Sequence, residues 1–174
     1  MEFTEFAQKI NTPVLNTLMG LGGIDRTNPL SLGLVGMHGS KEANLAISNS
    51  DLVISIGARF SDRVIGNKDE FAKNAKIIQI DIDSSEMSKN IPAELELVGD
   101  LGDVLSSLLE KVDKKDNTAW LKEIDGFKDT EHNIDEKAFH PKNILEAFNK
   151  KLGSKNTTVV TDVGQHQMWA AQYW

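Results

Sequence analysis

The chain has 174 residues, of which 40% are hydrophobic and 26% charged, and its formal net charge at pH 7 is −7. A chain of this length and composition is expected to form one globular domain and part of another. The acidic balance argues against nucleic acid as a partner, because such binding depends on clustered Lys and Arg. The sequence contains no Cys and no apolar run of the ~18 residues that a membrane span needs, so we expect a cytoplasmic protein with no membrane contact.

Short β-rich runs alternate with helical patterns over residues 1–112. The predicted strands are 13–17, 51–57, 76–82 and 95–99. The predicted helices are 2–10, 40–48, 68–74 and 100–112. The strands at 51–57 and 76–82 are almost continuously apolar, which is typical of strands that are covered on both faces of a parallel sheet.

This alternation predicts an α/β fold, a three-layer Rossmann-like parallel sheet with helices on both faces. The first domain is expected to span residues 1–112. Because the chain opens on an amphipathic helix that leads directly into a strand, we expect the sheet to lack its first strand.

Residues 113–139 are predicted to form a charged linker. Thirteen of the 25 residues at 113–137 are Asp, Glu or Lys, and such a segment cannot supply a core of its own. Its apolar residues could hold one helical turn against a neighbour, and they are Trp120, Leu121, Ile124 and Phe127. A helix from Pro141 to Gly153 and a strand at 157–162 then predict the start of a second domain over 140–174.

Two glycine-rich turns are candidate phosphate-binding loops. They are Gly20-Leu21-Gly22-Gly23 and Gly36-Met37-His38-Gly39-Ser40. Ligands of open α/β sheets bind outside the carboxyl ends of the strands, and glycine lets a pyrophosphate approach the backbone closely. The full G-x-G-x-x-G pattern is absent, and glycines that merely supply positive φ at turns would explain the same residues. Ser40 is placed to cap the helix that begins near Lys41.

Charged residues follow the two most apolar strands. Arg59, Asp62 and Arg63 come after the strand at 51–57, where Arg is suited to recognise phosphate or carboxylate. A surface ion pair between Asp62 and Arg63 is an equal alternative. Asp81 ends the next strand and is placed to accept hydrogen bonds from ribose hydroxyls.

Two further acidic residues have local explanations. Asp83-Ser84-Ser85-Glu86 matches a capping box, so Asp81 is the better ligand candidate of the two. Asp100 opens the helix at 100–112 and is explained either as its N-cap or as a ligand residue. The four His lack metal-site spacing, and a G-x-S-x-G nucleophile motif is absent. The residues therefore predict a dinucleotide-type site without catalytic residues or metal ligands.

Five motifs occur in a fixed order along the chain. They are Thr17–Gly22, Gly36–Ser40, Gly57–Arg63, Ile80–Asp83 and Thr161–Trp169. Their order and spacing resemble those of the large catalytic subunits of the acetolactate synthase family, which are thiamine diphosphate enzymes. The run Gln165-His166-Gln167-Met168-Trp169 favours this family over pyruvate oxidases, which are similar in the other motifs.

The resemblance implies an enzyme that joins two 2-oxoacids, pyruvate with pyruvate or with 2-oxobutyrate, into an acetohydroxyacid in branched-chain amino acid biosynthesis, with release of CO₂. It implies FAD, thiamine diphosphate and Mg²⁺ as cofactors, with the activating glutamate and the Mg²⁺ ligands outside this chain. Residues 1–112 then resemble most of the central FAD-binding domain, and 140–174 the start of the thiamine-diphosphate-binding domain. The fragment itself is expected to be inactive. The implied partners are a catalytic-subunit homodimer or tetramer and a small regulatory subunit.

The resemblance also implies contacts residue by residue. The expected FAD contacts are Thr17, Leu18, Val35, Gly36, Met37, His38, Gly57, Ala58, Arg59, Phe60, Ser61, Asp81, Ile82, Asp100 and Leu101. Gly164, Gln165 and His166 are expected to contact the diphosphate of thiamine diphosphate. Asp62 and Arg63 resemble residues that line the substrate channel.

Two other functions fit the same residues. The chain could be a free-standing module that binds FAD or NAD, or a piece of a pyruvate-oxidase-like thiamine enzyme. A module predicts tight nucleotide binding by this chain alone. A fragment predicts weak FAD binding, because part of the pocket is then missing.

Overall fold

A computed structural model describes residues 2–127, 135, 137–153, 155 and 157–174. The chain forms two compact units, Met1–Lys128 and Asp129–Trp174. The first contains α1 (Glu2–Lys9), β1 (Val14–Asn16), β2 (Ser31–Leu34), α2 (Lys41–Asn49), β3 (Leu52–Ile56), α3 (Asp62–Ile65), β4 (Lys76–Asp81), β5 (Leu95–Val98), α4 (Leu101–Lys111) and α5 (Thr118–Asp125). The second contains α6 (Pro141–Leu152) and α7 (Gln165–Tyr173).

All strand pairs in the described residues are parallel, as predicted. β3, β4 and β5 form one sheet in that order, and β1 pairs with β2 in a second sheet. The register between β3 and β4 is unbroken from Leu52 opposite Lys76 to Ile56 opposite Ile80. The strands therefore end level with one another, so residues that follow them lie at a common edge.

β3 carries apolar side chains on both faces, because successive residues of a strand point to opposite sides. One face packs against α1 and α4, and the residues in this cluster include Phe6, Ile10, Ile54, Ile56 and Leu105. The other face packs against α2 and α3, and the residues in this second cluster include Ile47, Val53, Ile65 and Ile77. The predicted three-layer α/β arrangement is confirmed.

The helices around the sheet begin at the caps that the sequence predicts. Ser40 Oγ accepts a hydrogen bond from Ala43 N at 3.1 Å at the start of α2. Asp100 Oδ1 accepts from Gly102 N at 2.8 Å and from Asp103 N at 3.3 Å at the start of α4. Both caps satisfy backbone donors that lack partners in the first helical turn.

One prediction about the segments between strands is wrong, and one strand was not predicted. Residues 68–74 form turns, not a helix, because Ala72 has a φ of +45° and this left-handed backbone cannot continue a right-handed helix. The short helix of this region is α3, which comes earlier. β2 was not predicted, because Gly33 interrupts its short apolar pattern; in the structure Gly33 has a φ of +75°.

The predicted strand at 157–162 is also wrong. These residues have no regular secondary structure, and Val160 is 87% exposed. A parallel strand needs a neighbouring strand for its hydrogen bonds, and the described residues of the second unit contain no strand. The aromatic run that follows forms α7, a helix that the pattern did not predict.

One helix of the charged segment is anchored to the first unit, as predicted. Ile124 of α5 is 1% exposed, and Leu121 packs against a cluster that includes Ala7 and Val14. Asn117 Nδ2 donates to Ile10 O at 2.9 Å just before α5. Positions 128–134 and 136 of the predicted linker lie outside the described residues, and the predicted domain boundaries stay a prediction.

The second unit confirms the predicted helix that begins at Pro141. His140 Nδ1 accepts from Lys142 N at 3.2 Å at the start of α6, and Gly153 N donates to Asn149 O at 2.7 Å at its end. α6 and α7 pack against each other. Among the described residues of the whole chain, the helices are too short or too polar to cross a membrane.

Candidate functional site

A pocket of about 180 Å³ lies at the carboxyl ends of β3, β4 and β5. Its lining residues are Gly57, Ile80, Asp81, Ile82, Gly99, Asp100 and Leu101. Gly57 N donates to Ile80 O at 2.8 Å, and Gly99 N donates to Asp81 O at 3.0 Å. These bonds continue the strand pairing beyond the strands, which brings the three chain turns together. The structure thus places five predicted FAD residues in one pocket: Gly57, Asp81, Ile82, Asp100 and Leu101.

Gly57 makes the turn at the end of β3 with a φ of +59°. A Cβ built at this position would meet nothing within 4 Å, so the space beside the backbone is open. Glycine is favoured here because of its backbone conformation, since other residues are strained at positive φ. The turn leaves the strand end accessible to a ligand.

Two carboxylates of the pocket are fixed by backbone donors. Asp81 Oδ1 accepts from Asp83 N at 3.0 Å, and Asp100 Oδ1 accepts from Gly102 N at 2.8 Å. The lining residues include two Asp and no Lys or Arg. Two carboxylates without a cation favour a ligand that donates hydrogen bonds, such as a sugar, over a phosphate group.

The predicted capping box at Asp83 forms only in part. Asp83 Oδ1 accepts from Ser85 N at 2.9 Å. Glu86, however, pairs with Lys89 at 2.7 Å, and the backbone N–H of Asp83 is taken by Asp81. Hydrogen bonds from the Ser85 side chain and then its backbone N–H hold the pKa of Asp83 below its ordinary value. Asp83 therefore has a local structural role, as the sequence indicated.

Gln79 fixes the loop that follows Asp81, and sequence reasoning missed it. Its side chain is 1% exposed, and its amide donates to Glu86 O at 2.9 Å and accepts from Ser88 N at 3.0 Å. The same loop supplies Asn90, whose Nδ2 donates to Arg59 O at 2.9 Å. A polar residue inside an apolar strand is a signal that could have identified Gln79, because buried amides need partners.

A second group of predicted residues meets where the turn after β2 contacts α3. Gly36 has a φ of +103°, and a Cβ there would lie 2.4 Å from Arg63 O. Met37 N donates to Arg63 O at 2.9 Å, and Arg63 Nη1 lies 3.8 Å from Met37 Sδ. The structure therefore joins two predicted FAD residues to a predicted channel residue.

The alternative of a surface ion pair at Asp62 and Arg63 is not what the structure shows. Asp62 Oδ1 accepts from the backbone N of Arg63 at 3.0 Å. The Arg63 guanidinium faces Met37, and across the described residues it forms no ion pair with Asp62.

The remaining predicted residues are not among those that line the pocket. Thr17 Oγ1 accepts from Gly20 N at 3.1 Å and caps a 3₁₀ turn at Leu18–Gly20. Phe60 is 5% exposed and packs in the core cluster of α3, so a ligand could contact its backbone but not its ring. Val35 is also buried.

Gly164, Gln165 and His166 belong to the second unit, where they begin α7. The described residues contain no group of three or more His, Asp or Glu that could hold a metal ion.

The amino-acid sequence around this pocket matches a known protein family. Residues 1–108 match the family description "Thiamine pyrophosphate enzyme, central domain". The chain belongs to the thiamine pyrophosphate enzyme family. The matched residues include every residue that lines the pocket.

Curated relatives extend the similarity over almost the whole chain. The acetolactate synthase large subunit of Cyanidium caldarium is 42% identical over 183 residues, which cover 99% of this chain and 31% of the relative. The probable large subunits of Methanocaldococcus jannaschii and Methanococcus aeolicus are 43% and 38% identical, again over 99% of this chain and 31% and 32% of the relatives. The chain thus spans about a third of the length of these relatives. The predicted resemblance of the chain to acetolactate synthase large subunits is confirmed.

Proposed function

We propose that this chain is part of the large subunit of an acetolactate synthase, and that the pocket at the ends of β3, β4 and β5 binds the adenosine portion of FAD. The family match and the similarity over 99% of the chain support the first part. The observation that carries the second part is that Asp81 and Asp100 line one pocket.

The pocket has the size and chemistry for part of a dinucleotide. Complete small-molecule sites measure about 300–1,000 Å³, so a pocket of about 180 Å³ suits one portion of FAD. The backbone bonds described above use Oδ1 of Asp81 and of Asp100, and Oδ2 of each is available to accept from ribose hydroxyls. Ile82 is 71% exposed beside these carboxylates, and it offers an apolar surface to the adenine ring.

The enzyme activity that we propose is the condensation of pyruvate with pyruvate or 2-oxobutyrate to an acetohydroxyacid, with release of CO₂. When bound, thiamine diphosphate supplies the carbanion-stabilising chemistry of this enzyme class. In this chain Gly164, Gln165 and His166 would hold its diphosphate, since a helix N-terminus such as that of α7 presents backbone N–H groups to anions. We propose that the chain alone has no activity, with the Mg²⁺ ligands and a regulatory subunit supplied from outside it.

The test of the FAD site is a titration of the 174-residue chain with FAD and with NAD, followed by flavin fluorescence. We expect weak FAD binding, and the Asp81→Asn variant should bind FAD about tenfold more weakly, because a hydrogen bond to a charged group contributes roughly 1.5–3 kcal/mol. Asp51→Asn is the matched control, since Asp51 lies at the opposite end of β3. Equal affinities of the two variants would refute the role of Asp81, and tight NAD binding would favour a free-standing module.

The test of the activity is an acetolactate assay with pyruvate, thiamine diphosphate, Mg²⁺ and FAD. It should be run on this chain and on a longer protein that contains it and has the full length of the relatives. We expect product from the longer protein and none from the 174-residue chain. Turnover by the chain alone would contradict the proposed division of function, and absence of acetolactate in both would contradict the proposed reaction.

A further inference from the structure

Asn44 of α2 forms two hydrogen bonds with Gly36, a predicted FAD residue in the turn after β2. Its Oδ1 accepts from Gly36 N at 2.9 Å, and its Nδ2 donates to Gly36 O at 2.9 Å. The side-chain amide thus pairs with both polar backbone groups of Gly36. Among ordinary side chains, only those of Asn and Gln offer a neighbouring donor and acceptor of this kind.

The helix that carries Asn44 is itself held in place. Asn44 N donates to Ser40 O at 3.1 Å in the first turn of α2, which Ser40 also caps. Its neighbours Ala43 and Ala46 are 0% and 2% exposed, so this part of α2 is packed against the core. A packed helix gives the amide a fixed position from which to orient the turn.

The turn that Asn44 fixes has little freedom on its other side. Gly36 is in direct contact with α3, and Met37 N donates to Arg63 O at 2.9 Å. The amide of Asn44 and the backbone of α3 therefore hold the turn from two sides. Met37, which is 62% exposed, and the Arg63 side chain, which lies 3.8 Å from Met37 Sδ, then have defined positions beside this turn.

We propose that Asn44 is a positioning residue of the cofactor site: its amide fixes the Gly36 peptide groups and thereby orients Met37, His38 and Arg63 for ligand binding. This inference rests on the proposed FAD site. Asn44 itself need not touch the ligand, because Oδ1 and Nδ2 of its amide each form a hydrogen bond with Gly36. No motif of the sequence singles it out, since it lies eight residues away from its partner.

The experiment compares Asn44→Ala with Asn49→Ala in the 174-residue chain. Asn49 is the matched control, because it is an exposed Asn of the same helix whose Nδ2 donates within α2, to Leu45 O at 2.8 Å. We expect Asn44→Ala to weaken FAD binding about tenfold, as expected from the loss of two hydrogen bonds, and Asn49→Ala to leave it unchanged. The visible circular dichroism of flavin at saturation should change in the Asn44 variant, since a loss of folded protein alone would not alter this spectrum per bound flavin.

Amide hydrogen exchange at Gly36 and Met37, measured by NMR without ligand, separates this inference from the proposed function. Faster exchange in Asn44→Ala than in Asn49→Ala supports the positioning role, whether or not the wild-type chain binds FAD. If the wild-type chain binds no FAD, the proposed FAD site is refuted, but the role of Asn44 in fixing the turn is not. If FAD binds and both variants bind and exchange alike, the inference is overturned and the FAD site stands. Should Asn44→Ala fail to fold, Asn44→Asp replaces it, because it keeps the acceptor for Gly36 N and removes the donor to Gly36 O. Wild-type exchange and affinity in Asn44→Asp would overturn the inference.

Discussion

Replacing Gly36 with Ala tests how tightly the turn after β2 is packed against α3. A Cβ at Gly36 would lie 2.4 Å from Arg63 O and 2.9 Å from Val64 Cα. Both are backbone atoms, so relief requires a shift of α3 or of the turn. Backbone strain at positive φ costs roughly 1–3 kcal/mol, and overpacking of this kind adds roughly 1–3 kcal/mol. We therefore expect Gly36→Ala to lower the free energy of unfolding by about 2–6 kcal/mol.

Gly33→Ala separates the two contributions. Gly33 also has a positive φ, +75°, but a Cβ there would meet nothing within 4 Å. Gly33→Ala should therefore lose only the free energy of unfolding that backbone strain accounts for. The difference between the two variants should be about 1–3 kcal/mol. The assay is equilibrium unfolding in urea followed by far-ultraviolet circular dichroism, with the midpoint and slope compared for each variant. If Gly36→Ala is no less stable than Gly33→Ala, the conclusion that the turn after β2 packs closely against α3 is contradicted.

Three further predictions concern other parts of the first unit. Asp100→Ala should destabilise the chain by about 1 kcal/mol through loss of the α4 cap, whereas Asp103→Ala should change the urea midpoint little. Ile124→Ala should lower the free energy of unfolding by about 2–5 kcal/mol, because the side chain is 1% exposed, and a value near zero would show that α5 is not part of this core. Ser85→Ala should raise the pKa of Asp83 in an NMR titration, since the Ser85 hydrogen bonds lower it. The stabilisation from Asp83 is present above its unfolded-state pKa of about 3.9 and is lost as pH falls through the lower folded-state value, so the Ser85 variant should lose less stability on acidification. An unchanged pKa would contradict the Ser85 contacts.

The parts of the fold that sequence predicts well have strong internal patterns. β3, β4 and α4 were predicted because their apolar residues are continuous or recur at helical spacing. β2 was missed because Gly33 breaks its pattern, and the predicted strand at 157–162 lacks the pairing partner that a strand requires. These errors have one physical cause: strand formation depends on neighbours that are distant in sequence.

The candidate site shows the same division. Asp81 was predicted because residues that follow parallel strands meet at one edge, whereas Gly57 and Asp100 were expected at the site through the family resemblance. Gly99 lines the same pocket and was missed, because a single glycine before a helix has an ordinary local explanation. The contact of Asn44 with Gly36 depends on how α2 packs, and neither the composition nor the spacing of the sequence records this.

The packing of α1 on α4 has a consequence for biosynthesis. Phe6 and Ile10 share a cluster with Leu105 and Leu108, so during synthesis α1 acquires these apolar partners roughly a hundred residues later. Until then its hydrophobic face is exposed on the nascent polypeptide, where a chaperone would recognise it. Translational pausing before α4 is complete should therefore prolong an aggregation-prone intermediate, whereas pausing after α4 should not.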